Sequence, residues 1–455
     1  MKYFSVIILS LAIQSLIAQQ VHELLSDLDQ GNIYQTIDFE TPEFIDHLKI
    51  ADETQTRLSI GNGEIIEVVF KRRHLLSPNY HATRSDSEST VALDHPISNN
   101  FVVERVVDGS QIARINLTQG LLNGLFFDGQ EKYRLTPMAN VASTKDEGKY
   151  VLYRGKEGES IPLSFCGVDQ IPIEGSAKAS SNARNAGMAT CHVIEIATES
   201  DFELFQKYGN NAQQTIQHVL DQFNIVEGIY LNSGIDLSFA IVYQNVWTSI
   251  FDPYFATERF AMRNEFKDVW NNAIYGFTDV DRDVAYMVSG KVNTNGGAAF
   301  TSTAGDPALA YAVGQEFDSE TDEHLIAHEI GHTLSAGHDT SGTVCISGNK
   351  PLSGTMCSFV GTQGFSANSV SEISTYLDSS NKFGAITSAT IFALGAITDI
   401  RSYVARENLT LHMTVAGSGY VRAIAGQRIT LPPGFRANDG SHFRAFINQS
   451  MDGCN

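Results

Sequence analysis

The residues best suited to chemistry lie in one run, His328-Glu329-Ile330-Gly331-His332-Thr333-Leu334-Ser335-Ala336-Gly337-His338-Asp339. Side chains four apart on a helix share a face, so His328 and His332 can aim two imidazoles at one point. Zinc takes such nitrogens at roughly 2.0–2.1 Å in a tetrahedral shell. Glu329 stands one residue round the helix, where its carboxylate can take a proton from a water beside the metal. His338 lies beyond the helical face and reaches the same point only if the chain bends. With that bend, three nitrogens leave a fourth position for water. His324 lies a turn back from His328. A trio of 324, 328 and 332 would spread its ligands along about 12 Å of helix axis, too far for one ion. His324 is therefore expected at the surface or behind the ligands.

The elements that must carry this run can be read around it. From Cys191 onward, strands alternate with helices, which indicates an α/β domain. His192–Ala197, Ile235–Val246 and Val284–Val288 read as strands, and Gly297–Thr301 as an edge strand. One long helix is expected from Asp201 to about Leu231, a second from Thr257 to Ala273, and the histidine helix from Thr321 to Leu334. Thr321 or Ser319 would cap that last helix, with acids in its first turn. Residues 19–170 read as β-rich, with apolar runs at Glu64–Phe70, Phe101–Val107 and Lys149–Tyr153 separated by Gly, Asp and Asn. Residues 171–190 are small and polar and read as a linker, with Lys178 and Arg184 open to proteases. The peptidase-like region is taken as 191–405 and a small C-terminal β module as 406–455.

Composition narrows the function. The 455 residues carry a formal charge of −21, which argues against nucleic acid, since phosphate binding needs clusters of Lys and Arg. Residues 1–18 read as a secretory signal, with Lys2, an apolar stretch from Phe4 to Ile17, and Ala18 at the cut. The expected location is therefore extracellular. No later stretch is long and apolar enough to suggest a membrane span. Five cysteines, Cys166, Cys191, Cys345, Cys357 and Cys454, suit an exported chain with up to two bridges and one free thiol. Asp279, Asp281 and Asp283 lack the glycine and distal glutamate of a calcium loop and read as an exposed acidic loop. Asn408-Leu409-Thr410 is a glycosylation sequon.

The histidine run resembles the metzincin metallopeptidases, and within them the reprolysin group of adamalysins and ADAM proteases. Their motif is H-E-x-x-H-x-x-G-x-x-H-D with a methionine turn beyond it. His328, Glu329, His332, His338, Asp339 and Met356 match it. The resemblance implies that the three histidines bind one zinc ion and that Glu329 is the general base. It also implies that Met356 turns beneath the metal and that Asp339 supports the site without ligating. The implied fold is a mixed sheet with an antiparallel edge strand. A β-rich propeptide and the C-terminal module would flank it. Phe165-Cys166-Gly167-Val168 is similar to the reprolysin cysteine switch, so Cys166 is implied as an inhibitory thiolate ahead of a cleavable linker. Cys345 and Cys357 flank the methionine loop and could bridge, which would leave Cys191 and Cys454. One position departs from the motif: Ser335 stands where the family has glycine. A left-handed serine costs about 1–2 kcal/mol that glycine does not.

The expectation is a secreted zinc metalloendopeptidase of EC class 3.4.24, made as a zymogen, acting on proteins or peptides. Substrate would lie extended along Gly297–Thr301. Two alternatives stay open at this point. One is a protease-like adhesion or binding protein that has lost catalysis. The other is a zinc site whose third ligand is a downstream glutamate such as Glu372.

Overall fold

The computed structural model describes residues 35–38, 42–60, 64–96, 99–128, 131–137, 149–153, 166–169, 192–291, 296–317, 322–339, 364–379, 385–398, 400–417 and 419–447. Two compact units are present: 1–72 with 99–159, and 73–98 with 160–455. The signal and linker readings, the cap at Thr321 or Ser319, Met356, and the pairing of Cys191, Cys345, Cys357 and Cys454 all lie outside the described residues.

The first unit holds β1 (Gln35–Asp38), helix α1 (Pro42–Ile50), β2 (Glu53–Ile60) and β3 (Glu64–Arg72). Two further strands, β4 (Leu76–Ser85) and β5 (Thr90–Leu93), interrupt it and join the second unit. The first unit resumes with β6 (Asn100–Arg105), β7 (Gln111–Thr118), β8 (Leu121–Asp128), β9 (Glu131–Pro137) and β10 (Lys149–Tyr153). These form one eight-stranded antiparallel sheet in the order β1-β10-β9-β8-β7-β6-β3-β2. Period-two alternation sends Val68 and Phe70 of β3 to one face. There they pack with Phe101, Ile115 and Phe126, and with Phe44 and Leu48 of α1.

The second unit is built on a mixed eight-stranded sheet. It uses β11 (Cys166–Asp169), β12 (His192–Ser200), β13 (Leu237–Trp247), β14 (Val284–Ser289), β15 (Gly297–Phe300) and β16 (Tyr311–Gln315). The order is β11-β15-β16-β14-β12-β13-β4-β5. β12, β13, β14 and β16 run parallel, and β15 is antiparallel to β16. β12, β13 and β14 are buried at every position, as a parallel sheet covered on both faces requires. On one face, helix α4 (Arg259–Trp270) packs Met262, Phe266 and Trp270 against Ala285, Met287 and Tyr311. On the other face lies α3 (Ala212–Asn232), whose Phe223 meets Tyr286 edge-on at 6.2 Å.

Two expectations change here. The long helix from Asp201 is two helices, α2 (Phe202–Lys207) and α3. Gly209 and Asn210 break it with φ of 68° and 57°. Asn211 then caps α3 by accepting from the amides of Gln213 and Gln214 at 3.0 and 3.2 Å. The strand β16 went unread. Its Gly314 passes so close to Tyr286 that a Cβ there would stand 2.2 Å from the hydroxyl, so a packed interior selects that glycine.

Helix α5 (Asp322–Thr333) carries the first two histidines, and α6 (Ala367–Ser379) follows. The C-terminal strands are β17 (Ala385–Ile397), β18 (Ile400–Val415), β19 (Tyr420–Ala425), β20 (Arg428–Thr430), β21 (Arg436–Ala437) and β22 (His442–Ile447). They pair in parallel throughout. Ala385 stands opposite Val404, Ile400 opposite Tyr420, and Tyr420 opposite His442. The chain thus returns to the same height after about 20 residues, as a short β-solenoid does. Leu409, Leu411, Met413, Val421 and Ala423 fill its core. This parallel stack begins at Ala385, ahead of residue 406.

Candidate metal centre

Every residue of α5 is buried, His328, His332 and Glu329 completely. Such a helix is held from all sides rather than by one apolar stripe. The Tyr230 hydroxyl of α3 donates to the Ala327 carbonyl at 2.7 Å. One turn apart, His328 and His332 bring their Nε2 atoms to 3.0 Å. His338 adds a third Nε2, at 3.2 Å from that of His332 and 3.3 Å from that of His328. Three facing nitrogens cannot all satisfy one another as donor and acceptor. Ligands at 2.0–2.1 Å from one tetrahedral zinc stand about 3.3 Å apart, so the spacing suits an ion between them.

The protonation state agrees. His332 Nδ1 donates to the Ala336 carbonyl at 2.7 Å, which leaves the lone pair on Nε2. Burial, with the neighbouring His338, pushes the pKa of His332 down to about 3. Burial also lowers that of His338, against a smaller opposing pull from Asp339. Both imidazoles are neutral near pH 7 and able to ligate. Among the described residues, His328, His332 and His338 form the one group of this kind.

The bend that brings His338 round is a Schellman turn. The Ser335 amide donates to the His332 carbonyl and the Ala336 amide to the Gly331 carbonyl, each at 2.9 Å. Ser335 occupies the left-handed position with φ of 81°. The segment after β15 completes the cap. Ser302 donates its amide to the His332 carbonyl, and Thr303 and Ala304 donate theirs to Thr333. Downstream, Glu372 of α6 accepts from the Gly337 amide at 2.9 Å. Asp339 accepts from the hydroxyls of Ser366 and Ser369 at 2.7 and 3.2 Å. Asp339 therefore ties the histidine loop to α6. Glu372 is engaged with the loop backbone, so the glutamate-ligand alternative loses its candidate to His338.

Glu329 faces β15. A Cβ built on Gly297 would lie 2.4 Å from Glu329 Oε1, so any side chain there would displace this carboxylate. β15 is not an edge in this chain, because β11 pairs with it in parallel and sets Cys166 opposite Gly297. His324 is buried rather than at the surface, and it stands outside the cluster. The acidic loop also differs from expectation. Asp283 is buried and accepts from the Glu195 amide at 2.8 Å, while Asp281 pairs with Arg444 at 2.7 Å. Gly297, Ser302, Ser366 and Ser369 went unread as parts of the site. Only Gly297, in Gly296-Gly297, carried a sequence signal.

The mixed sheet, with its antiparallel strand beside a helix bearing two of three converging histidines, is an arrangement consistent with a metallopeptidase catalytic domain. Residues 188–377 match the family model Reprolysin_5, metallo-peptidase family M12, so this segment of the chain is similar to the metzincin-type metallopeptidases. Among solved structures, metalloproteinase-II from Bacteroides fragilis is similar at 13% identity and a TM-score of 0.39, over 72% of this chain and 92% of that one.

Proposed function

We propose that this chain is a secreted zinc endopeptidase, made as a zymogen, in which Glu329 is the general base. The observation that carries the reading is the triad of Nε2 atoms within 3.3 Å of one another beside a fully buried Glu329. His328, His332 and His338 would hold the ion, which when bound supplies Lewis acidity toward a carbonyl oxygen and acidifies a water. Glu329 takes the proton from the attacking water and hands it to the leaving amine. The Gly297 backbone leaves room for the carboxylate to do so. Once β11 is withdrawn, β15 offers its outer edge to an extended peptide by strand addition.

The β11 pairing supports latency. A segment of the chain's own N-terminal region runs along that edge, and Cys166 is in register with the glycine that touches Glu329. Its thiolate is proposed as the inhibitory fourth ligand. The binding-protein alternative drew on Ser335 and the extra β modules; the serine makes the bend that His338 needs.

Hydrolysis of a peptide library by the processed protein is the test. Cleavage should stop on chelation and return with zinc, and Glu329→Ala should lose it while keeping stoichiometric metal. Cleavage by Glu329→Ala at the wild-type rate would overturn the mechanism. Cys166→Ala should raise activity of the uncut chain; an unchanged rate removes Cys166 from the account.

A further inference from the structure

The opposite end of the peptidase sheet is also closed by residues from the N-terminal region. β4 pairs in parallel with β13, from Leu76 beside Ile241 to Ser85 beside Trp247, and β5 pairs back on β4. Backbone bonds run from the Ile241 amide to the Leu75 carbonyl at 2.7 Å and from the Thr248 amide to the Ser85 carbonyl at 2.8 Å. The side chains interlock as well. Asn245 Oδ1 accepts from Thr83 and Ser85 at 2.8 and 2.9 Å, and Tyr80 donates to Gln244 at 2.8 Å. At the root of the hairpin, Arg73 forks onto Glu227 of α3 at 2.7 and 2.6 Å and also donates to Ser238. Arg73 is 2% exposed and Glu227 is 0% exposed.

These are the contacts of an interior, not of a removable cover. Withdrawing the hairpin would strip β13 of one ladder and bare an edge strand. It would also take the guanidinium away from a carboxylate at the centre of the fold.

We propose that residues 73–98 are a permanent strand pair of the peptidase domain. Cutting the chain between 171 and 190 then leaves the hairpin seated on β13, and the processed enzyme is two polypeptides sharing one sheet. This rests on the zymogen reading for its biological occasion, but its physical content holds for any cut in that linker.

The test replaces 176–185 in the full chain with the recognition sequence of a specific protease, in a Glu329→Ala background that prevents self-digestion. After cutting, the two pieces should elute together and part only in denaturant. Amides of 241–247 should exchange as slowly as in the uncut protein. A C-terminal piece that elutes alone overturns the proposal. So does a hundredfold faster exchange over 241–247 in pieces that still elute together, since contacts elsewhere would then be holding them. Arg73→Lys keeps the charge and loses the fork, and should speed that exchange at least tenfold in the cut form. Unchanged exchange there overturns Arg73 as the anchor. A chain that is never processed in its own secretion would refute the zymogen reading and leave this result standing.

Discussion

The Ser302 hydroxyl donates to the Ser335 hydroxyl at 3.0 Å, and both residues hold left-handed backbone angles, φ 62° and 81°. Ser302 lies at the start of the segment that follows β15, and Ser335 makes the bend behind His332. Each is a strained residue braced by the other. The hydroxyl that makes serine a poorer choice than glycine for the turn also supplies its tie to the β15 side of the site.

A double-mutant cycle tests this bracing. Ser335→Gly should hold stability level or raise it, because relief of about 1–2 kcal/mol of backbone cost offsets a lost hydrogen bond. Ser302→Ala should cost about 1 kcal/mol in the wild type and close to nothing in the Ser335→Gly background. Denaturant midpoints and the chelator concentration that strips half the zinc give two readouts. Additive effects would show that the two hydroxyls act separately.

Gly297→Ala is expected to separate stability from turnover. The added methyl overlaps the Glu329 side chain from Cγ to Oε1 and so forces its carboxylate to move. Melting temperature and zinc content should stay near wild type while kcat falls by about 10²-fold, the scale of a misplaced general base. A kcat within twofold of wild type would mean that the contact does not set the carboxylate's position.

Stability should depend on pH through Glu199. This buried carboxylate accepts from Trp247 and Trp270 at 2.7 and 2.8 Å and from Tyr254, yet burial outweighs these bonds and lifts its pKa from 4.5 to about 7. Between those values the folded protein keeps a proton that the unfolded chain has lost. This contribution therefore weakens as pH rises through the window and levels off above about 7. Asp201, raised by burial from 3.8 to about 6, adds a slope of the same sign. Glu199→Gln should flatten the wild-type loss of melting temperature from pH 4.5 to 7.5; parallel curves would exclude Glu199 as the source.

Ser366→Ala combined with Ser369→Ala removes both hydroxyls from Asp339. The loop bearing His338 should then hold zinc about 10–100-fold more weakly, the cost typical of lost supporting bonds around a metal ligand. Competition with a chelator of known affinity measures it. Unchanged affinity would show that Asp339 is held by other means.

The histidine cluster was legible because helical period acts locally, and the approach of His328 to His332 depends on little else. His338 was legible only through the longer motif, since its approach depends on a turn whose serine argues against it. β16 and the break at Gly209-Asn210 were missed because short buried strands and single-turn interruptions leave weak periodic signals. The role of 73–98 was not readable at all. Thr83 bonds Asn245 from 162 positions away, and no local pattern in β4 distinguishes pairing with β13 from pairing within the N-terminal sheet.

That hairpin has a consequence for how the molecule forms. It leaves the chain between β3 and β6, which are themselves neighbours, with Arg72 opposite Phe101. Once that ladder zips, both ends of the hairpin are pinned together, and the entropy of closing its loop no longer opposes later steps. Pairing β4 with β13 is a contact of high sequence separation and would otherwise be slow. Synthesis delivers the hairpin first, so the nascent chain carries a ready template against which β13 can register as it emerges.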